Sequence, residues 1–195
     1  TSKASAGEAV IAPLRAAVAK ATGSCRPSHT RARSSRSASI PTTTASLRRG
    51  IELMFFAYRD FTGEADDILS RLGLGRAHHR VIYFVGRQPN MTVSDLLSIL
   101  KITKQSLSRV LSHLVAEGYI HQEQGARDKR QRLLSLTEKG LVLEEKLTDV
   151  QCKRFASAFS ACGGDAVAGF QDVLANLINE DERADLRKRY PDLFE

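Results

Sequence analysis

The chain has 195 residues, no tryptophan, three cysteines and no long apolar run. Its longest core-like run covers five residues, 81–85, whereas a transmembrane helix needs about 20 apolar residues. This excludes an integral membrane protein. The cysteines, Cys25, Cys152 and Cys162, are widely spaced and odd in number, so they fit neither a zinc finger nor the disulfide framework of a secreted protein. The sequence therefore predicts a protein of the reducing cytoplasm.

The groups that an enzyme would need are also missing. We find no nucleophile–base pair, no set of metal ligands and no phosphate-binding glycine loop. The adjacent carboxylates Asp66 and Asp67, and the pair His78 and His79, lack the neighbouring residues that a catalytic or zinc site requires. The sequence predicts neither an enzyme nor a bound cofactor or metal.

Basic charge is concentrated at the N-terminal end. The chain carries 29 Lys and Arg against 22 Asp and Glu, and residues 1–49 hold nine of the basic residues with a single acid. Residues 1–46 mix Ser, Thr and Arg with few large apolar side chains, which predicts a disordered basic arm. Three interpretations of this arm stay open: an organelle transit peptide, a segment that attracts DNA, or an extension without a role.

Apolar residues recur at helical spacing from residue 47 onward, and capping residues mark the ends of the helices. Thr92 and Thr103 are candidate N-caps, and Gly118 stands where a glycine commonly ends a helix. The pattern predicts helices over 47–72 and 76–85, helices from Thr92 and Thr103, short strands over 119–123 and 132–136, a long helix over 137–161 and a last helix around 167–178. This is a mainly α fold with a small β-hairpin wing (α+β), the order of a winged helix-turn-helix.

The second helix of the pair and the hairpin carry the residues that we expect to contact double-stranded DNA. Residues 101–139 have a net charge of +4, although residues 50–195 as a whole have −1. Short polar groups and long cations on one face of a helix suit a major groove. The expected DNA-binding residues are Thr103, Lys104, Gln105, Ser106, Ser108, Arg109 and His113 on the helix, and Arg127, Asp128, Lys129 and Arg130 on the hairpin.

Residues 96–140, LLSILKITKQSLSRVLSHLVAEGYIHQEQGARDKRQRLLSLTEKG, resemble the MarR family of bacterial transcription regulators. The marks are the helix ITKQSLSRVLSHLVAEGYI, the wing ARDKR with its Asp-x-Arg, and LLSLTEKG, which opens the next helix. The resemblance extends over about residues 47–180 and leaves the arm outside. It implies a homodimer that binds a pseudo-palindromic operator, usually as a repressor, and that lies on the nucleoid when bound.

The resemblance also implies a division of the domain 47–195. Residues 76–137 form the DNA-binding winged helix, and 47–75 and 138–180 supply the dimerisation helices. The apolar stripes of the terminal helices support this, because they hold more large apolar residues than a small winged-helix core can cover. Packing of these stripes within one chain is the alternative.

A response to ligands follows from the resemblance too. The family often binds small aromatic or anionic effectors in a crevice between the dimer helices and the winged domain. By position, the lining residues would be Met54, Phe55, Tyr58, His79 and Tyr83, although each also suits a core. Two other functions stay open: a winged-helix module that binds protein instead of DNA, and a redox-responsive regulator using Cys152 or Cys162. The early cysteine of peroxide-sensing relatives is missing from the first helix.

Overall fold

A computed structural model of the chain describes residues 43–126 and 128–194. It forms two compact units, one ending at Gln151 and the other beginning at Cys152. The first unit contains the predicted winged helix-turn-helix, with four helices, the start of a fifth and a small antiparallel sheet among its described residues. The fold class predicted from the sequence is confirmed.

The elements of the first unit follow the predicted order closely. They are α1 (Thr44–Ser70), α2 (Arg76–Arg87), β1 (Met91–Thr92), α3 (Val93–Leu100), α4 (Lys104–Ala116), β2 (Ile120–Gln124), β3 (Arg132–Leu136) and the first part of α5 (Glu138–Cys162). The second unit contains the end of α5, α6 (Gly164–Leu177), α7 (Glu180–Arg189) and a 3₁₀ turn (Pro191–Leu193).

Helix α1 begins earlier than the sequence predicts. The Thr43 side chain caps it by accepting a hydrogen bond from the backbone N–H of Ser46, at 3.3 Å. Residues 44–46 are therefore helical, and their assignment to the disordered arm is wrong, because a capping threonine outweighs the Ser/Thr-rich composition. The predicted arm otherwise lies outside the described residues. At its other end, α1 ends at Ser70, and Gly73, in the turn that follows, has a left-handed φ of 69°.

Helices α3 and α4 form the helix-turn-helix. Thr92 and Asp95 exchange hydrogen bonds as a capping box, with the Thr92 hydroxyl accepting from the Asp95 N–H at 3.0 Å. Lys101 adopts a left-handed φ of 50° after α3, and Thr103 caps α4. Gly118, at φ 72°, ends α4, where the N–H of Tyr119 bonds to the Leu114 carbonyl at 2.9 Å. The caps that the sequence predicted lie at both helices.

The sheet has the strand order β1-β3-β2 and is antiparallel throughout. Strands β2 and β3 form the wing, in a register that pairs Gln122 with Leu134. Strand β1 has two residues, with Met91 opposite Leu134, and the sequence did not predict it. Two residues are too few to show an alternating pattern, so only the pairing partner reveals this strand.

The hydrophobic core of the first unit lies between α2, α3, α4, the sheet and the first turns of α5. Its fully buried side chains include Val81, Ile82, Val85, Met91, Leu96, Leu107, Leu114, Ile120, Leu134 and Leu147. Helix α1 contributes only its last turns, through Ala65 and Leu69. This core fixes α4 and the wing on one scaffold.

The second unit is small and helical. Phe155, Phe159 and Phe170 form an aromatic cluster with ring centroids 5.3–6.2 Å apart. Helix α7, which the sequence analysis did not predict, starts with three acids and ends with three basic residues, an arrangement that the helix dipole favours. In the part of the chain that the structure describes, no helix is both long and apolar enough to cross a membrane.

Candidate nucleic-acid interface

Helix α4 has a buried face and an opposite face rich in polar groups. Leu107, Leu111 and Leu114 are buried in the core at spacings of four and three residues. On the other side of the helix, the predicted residues with exposed side chains are Lys104, Gln105, Ser106, Ser108 and Arg109. The structure therefore brings five of the predicted DNA-binding residues onto one accessible surface, which we call the reading face.

The start of α4 is held by Thr103. Its hydroxyl oxygen accepts a hydrogen bond from the Ser106 N–H at 3.2 Å, and the hydroxyl lies 2.9 Å from the Ser106 Oγ. A helix N-terminus offers backbone N–H groups and a positive dipole end, both of which favour a phosphate. Thr103 is exposed beside this terminus, where the sequence predicted a contact.

His113 departs from the reading face. Its side chain is half-buried, and its Nδ1 lies 3.0 Å from Nε2 of His78 on α2. The two rings are nearly perpendicular, at 78° with centroids 5.0 Å apart. The ring of His113 thus contacts α2. A direct DNA contact by His113 stays a prediction, and the hydrogen bond to His78 does not favour it.

The wing is shaped by Asp128 and Gly125. The Asp128 carboxylate accepts a hydrogen bond from the backbone N–H of Arg130 at 2.9 Å, so it organises the turn of the main chain. A side chain on Gly125 would meet the Asp128 carbonyl, since an added Cβ would lie 2.8 Å from it. Asp128, Lys129 and Arg130 are all exposed at the tip, and Arg127 lies outside the described residues.

A set of contacts that sequence analysis missed joins α5 to the end of α4. The Thr137 hydroxyl donates to the Gly118 carbonyl at 2.7 Å, and its oxygen accepts from the Gly140 N–H at 3.1 Å. The Lys139 ammonium donates to the Glu117 carbonyl at 2.7 Å and lies 4.1 Å from the ring centroid of Tyr119. The available signal was the sequence LTEKG, in which a threonine three residues before a glycine can cap the next helix.

The residues predicted to line an effector site occupy α1 and α2. The Arg80 guanidinium lies 3.4 Å from the Tyr58 hydroxyl, and that of Arg76 lies 5.8 Å from the Tyr58 ring centroid. Arg76 also forms an ion pair with Asp66 at 2.7 Å. Burial lowers the pKa of His79, whereas the Asp66 carboxylate opposes that shift.

The other three candidates for this site differ in exposure. Met54 and Phe55 are exposed on α1, about one turn before Tyr58. Tyr83 is half-buried, and its ring lies edge-on to Phe84 with centroids 5.3 Å apart. The structure therefore joins Tyr58 to α2 through two arginines, while the exposed pair extends along α1.

A helix-turn-helix followed by a hairpin wing, with the reading face exposed, defines the class of winged-helix proteins. Comparison with known sequences narrows this class. The MarR family model matches residues 72–131. The HTH-type transcriptional regulator PetP of Rhodobacter capsulatus is 51% identical over 137 residues, which cover 70% of this chain and 82% of that protein. An organic hydroperoxide resistance transcriptional regulator of Bacillus subtilis is 24% identical over 98 residues, covering 50% of this chain and 67% of that protein.

Solved structures agree in fold. Streptococcus pneumoniae FabT in complex with DNA has a TM-score of 0.62 at 19% identity, over 67% of this chain and 94% of that one. A mutant of MarR from E. coli, complexed with operator DNA, has a TM-score of 0.56 at 20% identity, over 69% and 96%. The chain belongs to the MarR family of transcription regulators. This confirms the resemblance found in the sequence, and the chain is a transcription regulator rather than an enzyme.

Proposed function

We propose that the chain is a sequence-specific DNA-binding repressor, which binds a pseudo-palindromic operator as a homodimer in the bacterial cytoplasm. The observation that carries this proposal is the reading face of α4. Five polar or cationic side chains are exposed in its first two turns, while three buried leucines pack the same helix against the core. Such a helix can present donors and acceptors to base edges while its leucines remain packed in the core.

Each part of the surface has a role in this proposal. Arg109 has the length and the forked donors to bind the O6 and N7 atoms of guanine. Lys104, in the first turn of α4, would contact a phosphate together with the helix N-terminus. Arg130 at the wing tip suits a narrow minor groove, where negative potential is enhanced. FabT and the E. coli MarR mutant, which share this fold, were crystallised with DNA.

Dimerisation is supported by the surface of α1. Residues 47–60 are exposed along their whole length, yet they include Leu47, Ile51, Met54, Phe55, Phe56 and Tyr58. Ile51 and Phe55, one turn apart, are 69% and 64% exposed. A contiguous apolar surface of this kind is typical of a protein interface, and a second copy of the chain would cover it symmetrically.

The second unit has its own exposed apolar residues. Phe170, Val173, Leu174 and Leu177 recur at helical spacing along α6, and all four are exposed. This pattern favours a further contribution of the C-terminal helices to the dimer.

An effector that releases the operator is the third part of the proposal. The Tyr58 ring lies beside the guanidinium groups of Arg76 and Arg80, which together suit a small aromatic anion. The test is operator release by benzoate and substituted phenols. Tyr58→Phe, which keeps the ring and removes the hydroxyl, should weaken release, and equal release from both proteins would argue against this site.

The DNA-binding proposal is tested by selecting bound fragments from bacterial genomic DNA. We expect the full chain to enrich fragments that share an inverted repeat and to retain them in the presence of excess polyanion. The double variant Arg109→Ala and Arg130→Ala should lose this enrichment. Retention that excess polyanion abolishes, or no retention at all, would favour the protein-interaction alternative. Repression itself is checked by placing a recovered fragment ahead of a reporter gene.

The dimer is tested by sedimentation velocity at micromolar concentration. We expect a dimer for the wild type and a monomer for Ile51→Glu, because a carboxylate would have to be buried in the interface. Glu52→Gln, a change at the exposed adjacent position, is the matched control and should remain dimeric. A monomeric wild type with intact operator binding would overturn this part of the proposal.

A further inference from the structure

Two histidines connect helix α4 to the start of α2. Nε2 of His78 lies 3.0 Å from Nδ1 of His113, although the two residues are 35 positions apart in the sequence. The other ring nitrogen of His78, Nδ1, lies 3.0 Å from the backbone N–H of Gly75, the N-cap residue of α2. A continuous chain of hydrogen bonds therefore runs from the α2 terminus through both rings to α4.

The backbone N–H of Gly75, the first donor, determines the direction of each hydrogen bond in this series. The backbone N–H of Gly75 can only donate, so Nδ1 of His78 must carry a lone pair. The proton of a neutral His78 then lies on Nε2, which donates to Nδ1 of His113. That nitrogen must also carry a lone pair, which leaves the proton of a neutral His113 on its Nε2. Both contacts are satisfied together only when both rings are neutral.

One added proton breaks one of the two hydrogen bonds. If it binds Nδ1 of His78, the N–H of Gly75 loses its acceptor. If it binds Nδ1 of His113, two N–H groups face each other across 3.0 Å, unless His78 shifts its own proton and loses the bond from Gly75. Burial and the neighbouring His113 lower the pKa of His78, which favours the neutral form of that ring.

The other charged groups on the surrounding elements include carboxylates and guanidinium groups, with His79 as one further histidine. Asp66 of α1 forms an ion pair with Arg76, and His79 and Arg80 follow His78 on α2. On α4, Arg109 and Glu117 lie one turn before and one turn after His113, and Asp95 is held in the cap of α3. Carboxylates and guanidinium groups ordinarily keep their charge between about pH 5.5 and 7.5, whereas histidines change theirs in this range.

We propose that His78 and His113 form a proton-sensitive positioning contact, which holds α4 in its DNA-binding orientation when both rings are neutral and releases it when either is protonated. The proposal rests on DNA binding as the proposed function. Neither histidine needs to touch DNA, since His78 acts through His113 and His113 acts through the orientation of its own helix. The direction of the affinity change on acidification distinguishes this contact from simple electrostatics. Protonation adds positive charge, which by electrostatics alone would strengthen DNA binding.

The first experiment measures operator affinity at constant ionic strength from pH 7.5 to 5.5, using a fragment recovered by the genomic selection. We expect the wild type to lose about three- to tenfold in affinity on acidification, the change that loss of one hydrogen bond produces. The double variant His78→Gln and His113→Gln should lose little, because its amides do not titrate. His121→Gln removes an exposed histidine of the wing and should keep the wild-type decrease. A wild type that gains affinity on acidification, or a double variant with the wild-type profile, would overturn the proposal.

The second experiment does not depend on DNA. In protein with ¹⁵N-labelled histidines, the ring nitrogen shifts identify the tautomers directly. At pH 7.5 we expect unprotonated Nδ1 and protonated Nε2 in both His78 and His113, and a titration of the two rings that is coupled. Independent titrations, or the opposite tautomer at His78, would contradict the proposal even if DNA binding is intact. If the tautomers are as expected and no DNA binds at any pH, the proposed function fails while the contact itself stands.

Discussion

The carboxylate of Asp128 accepts a hydrogen bond from the backbone N–H of Arg130, with 2.9 Å between Oδ1 and N. An acid at the tip of a DNA-facing hairpin would be repelled by phosphates, so its presence needs another reason. Here it stabilises the turn that presents Arg130. The backbone carbonyl of Asp128 also accepts a hydrogen bond from the N–H of Gln131 at 3.0 Å, which closes the turn.

Asp128→Ala is therefore expected to weaken operator binding, although it removes a negative charge. Loss of the turn hydrogen bond costs about 1 kcal/mol, or roughly fivefold in affinity. Electrophoretic mobility shift titrations at matched salt check this. Glu123→Ala, at an exposed acid on the same hairpin, is the control and should bind as tightly as wild type or tighter. Tighter binding by Asp128→Ala would show that the acid acts only through its charge.

Arg109→Ala is expected to reduce both affinity and selectivity. A bidentate contact to guanine is worth about 1–3 kcal/mol, so the variant should tolerate substitution at one base position in each half-site. Binding to a panel of single-base operator variants measures this. Lys104→Ala is the comparison, since loss of a phosphate contact should weaken all sequences about equally. If Arg109→Ala also weakens all sequences equally, Arg109 contacts phosphate only.

Gly140→Ala is expected to destabilise the first unit. An added Cβ would collide with the carbonyl oxygen of Tyr119, a main-chain atom that cannot move without disturbing the contacts between α4 and α5. Overpacking of this kind costs about 1–3 kcal/mol, measured as the free energy of unfolding in urea. Gly63→Ala has open space around the new Cβ in α1 and should gain up to about 1 kcal/mol. Equal stabilities of the two variants would contradict the close approach at Tyr119.

Glu144→Gln is expected to change the pH dependence of stability. Burial raises the pKa of Glu144, so folding favours its neutral form. The resulting contribution is present below the carboxyl's unfolded pKa and is lost as pH rises through the folded pKa. A neutral glutamine keeps an acceptor for Thr148, whose hydroxyl donates to the carboxylate at 2.6 Å.

The variant should therefore match the wild type near pH 4 and be the more stable protein at pH 7, as measured by thermal unfolding at both values. Glu145→Gln, at the exposed neighbouring position, is the control and should show a much smaller divergence, because the Glu145 charge makes only a minor contribution to the raised pKa of Glu144. A variant that is less stable than the wild type at pH 7 would show that Glu144 is needed as a carboxylate.

Local chemistry explains why much of the fold could be predicted. The caps at Thr92 and Thr103 and the left-handed glycine at 118 depend on residues within one turn of each helix end, so the sequence carries their signal. The reading face of α4 could be predicted for the same reason, because helical periodicity separates its residues from the buried Leu107 and Leu111.

Long-range contacts explain what could not be predicted. His113 lies at the edge of the polar face, and only the position of His78, brought near by the packing of α2, draws its ring inward. Strand β1 exists only through its pairing with β3. Helix α7 begins with acidic residues and ends with basic ones, which is a local signal for a helix. It has too few apolar residues for apolar periodicity to reveal it.

Only Thr137 separates the last strand of the wing from the first turn of α5. With its hydroxyl bonded to Gly118 and to Gly140, this residue fastens strand, helix and the end of α4 at one joint. A rotation of the first turn of α5 would therefore displace the end of β3 as well, because a single residue separates the two elements. The wing and the start of α5 therefore share one joint, and a tilt of the first turn of α5 would change the angle of the hairpin.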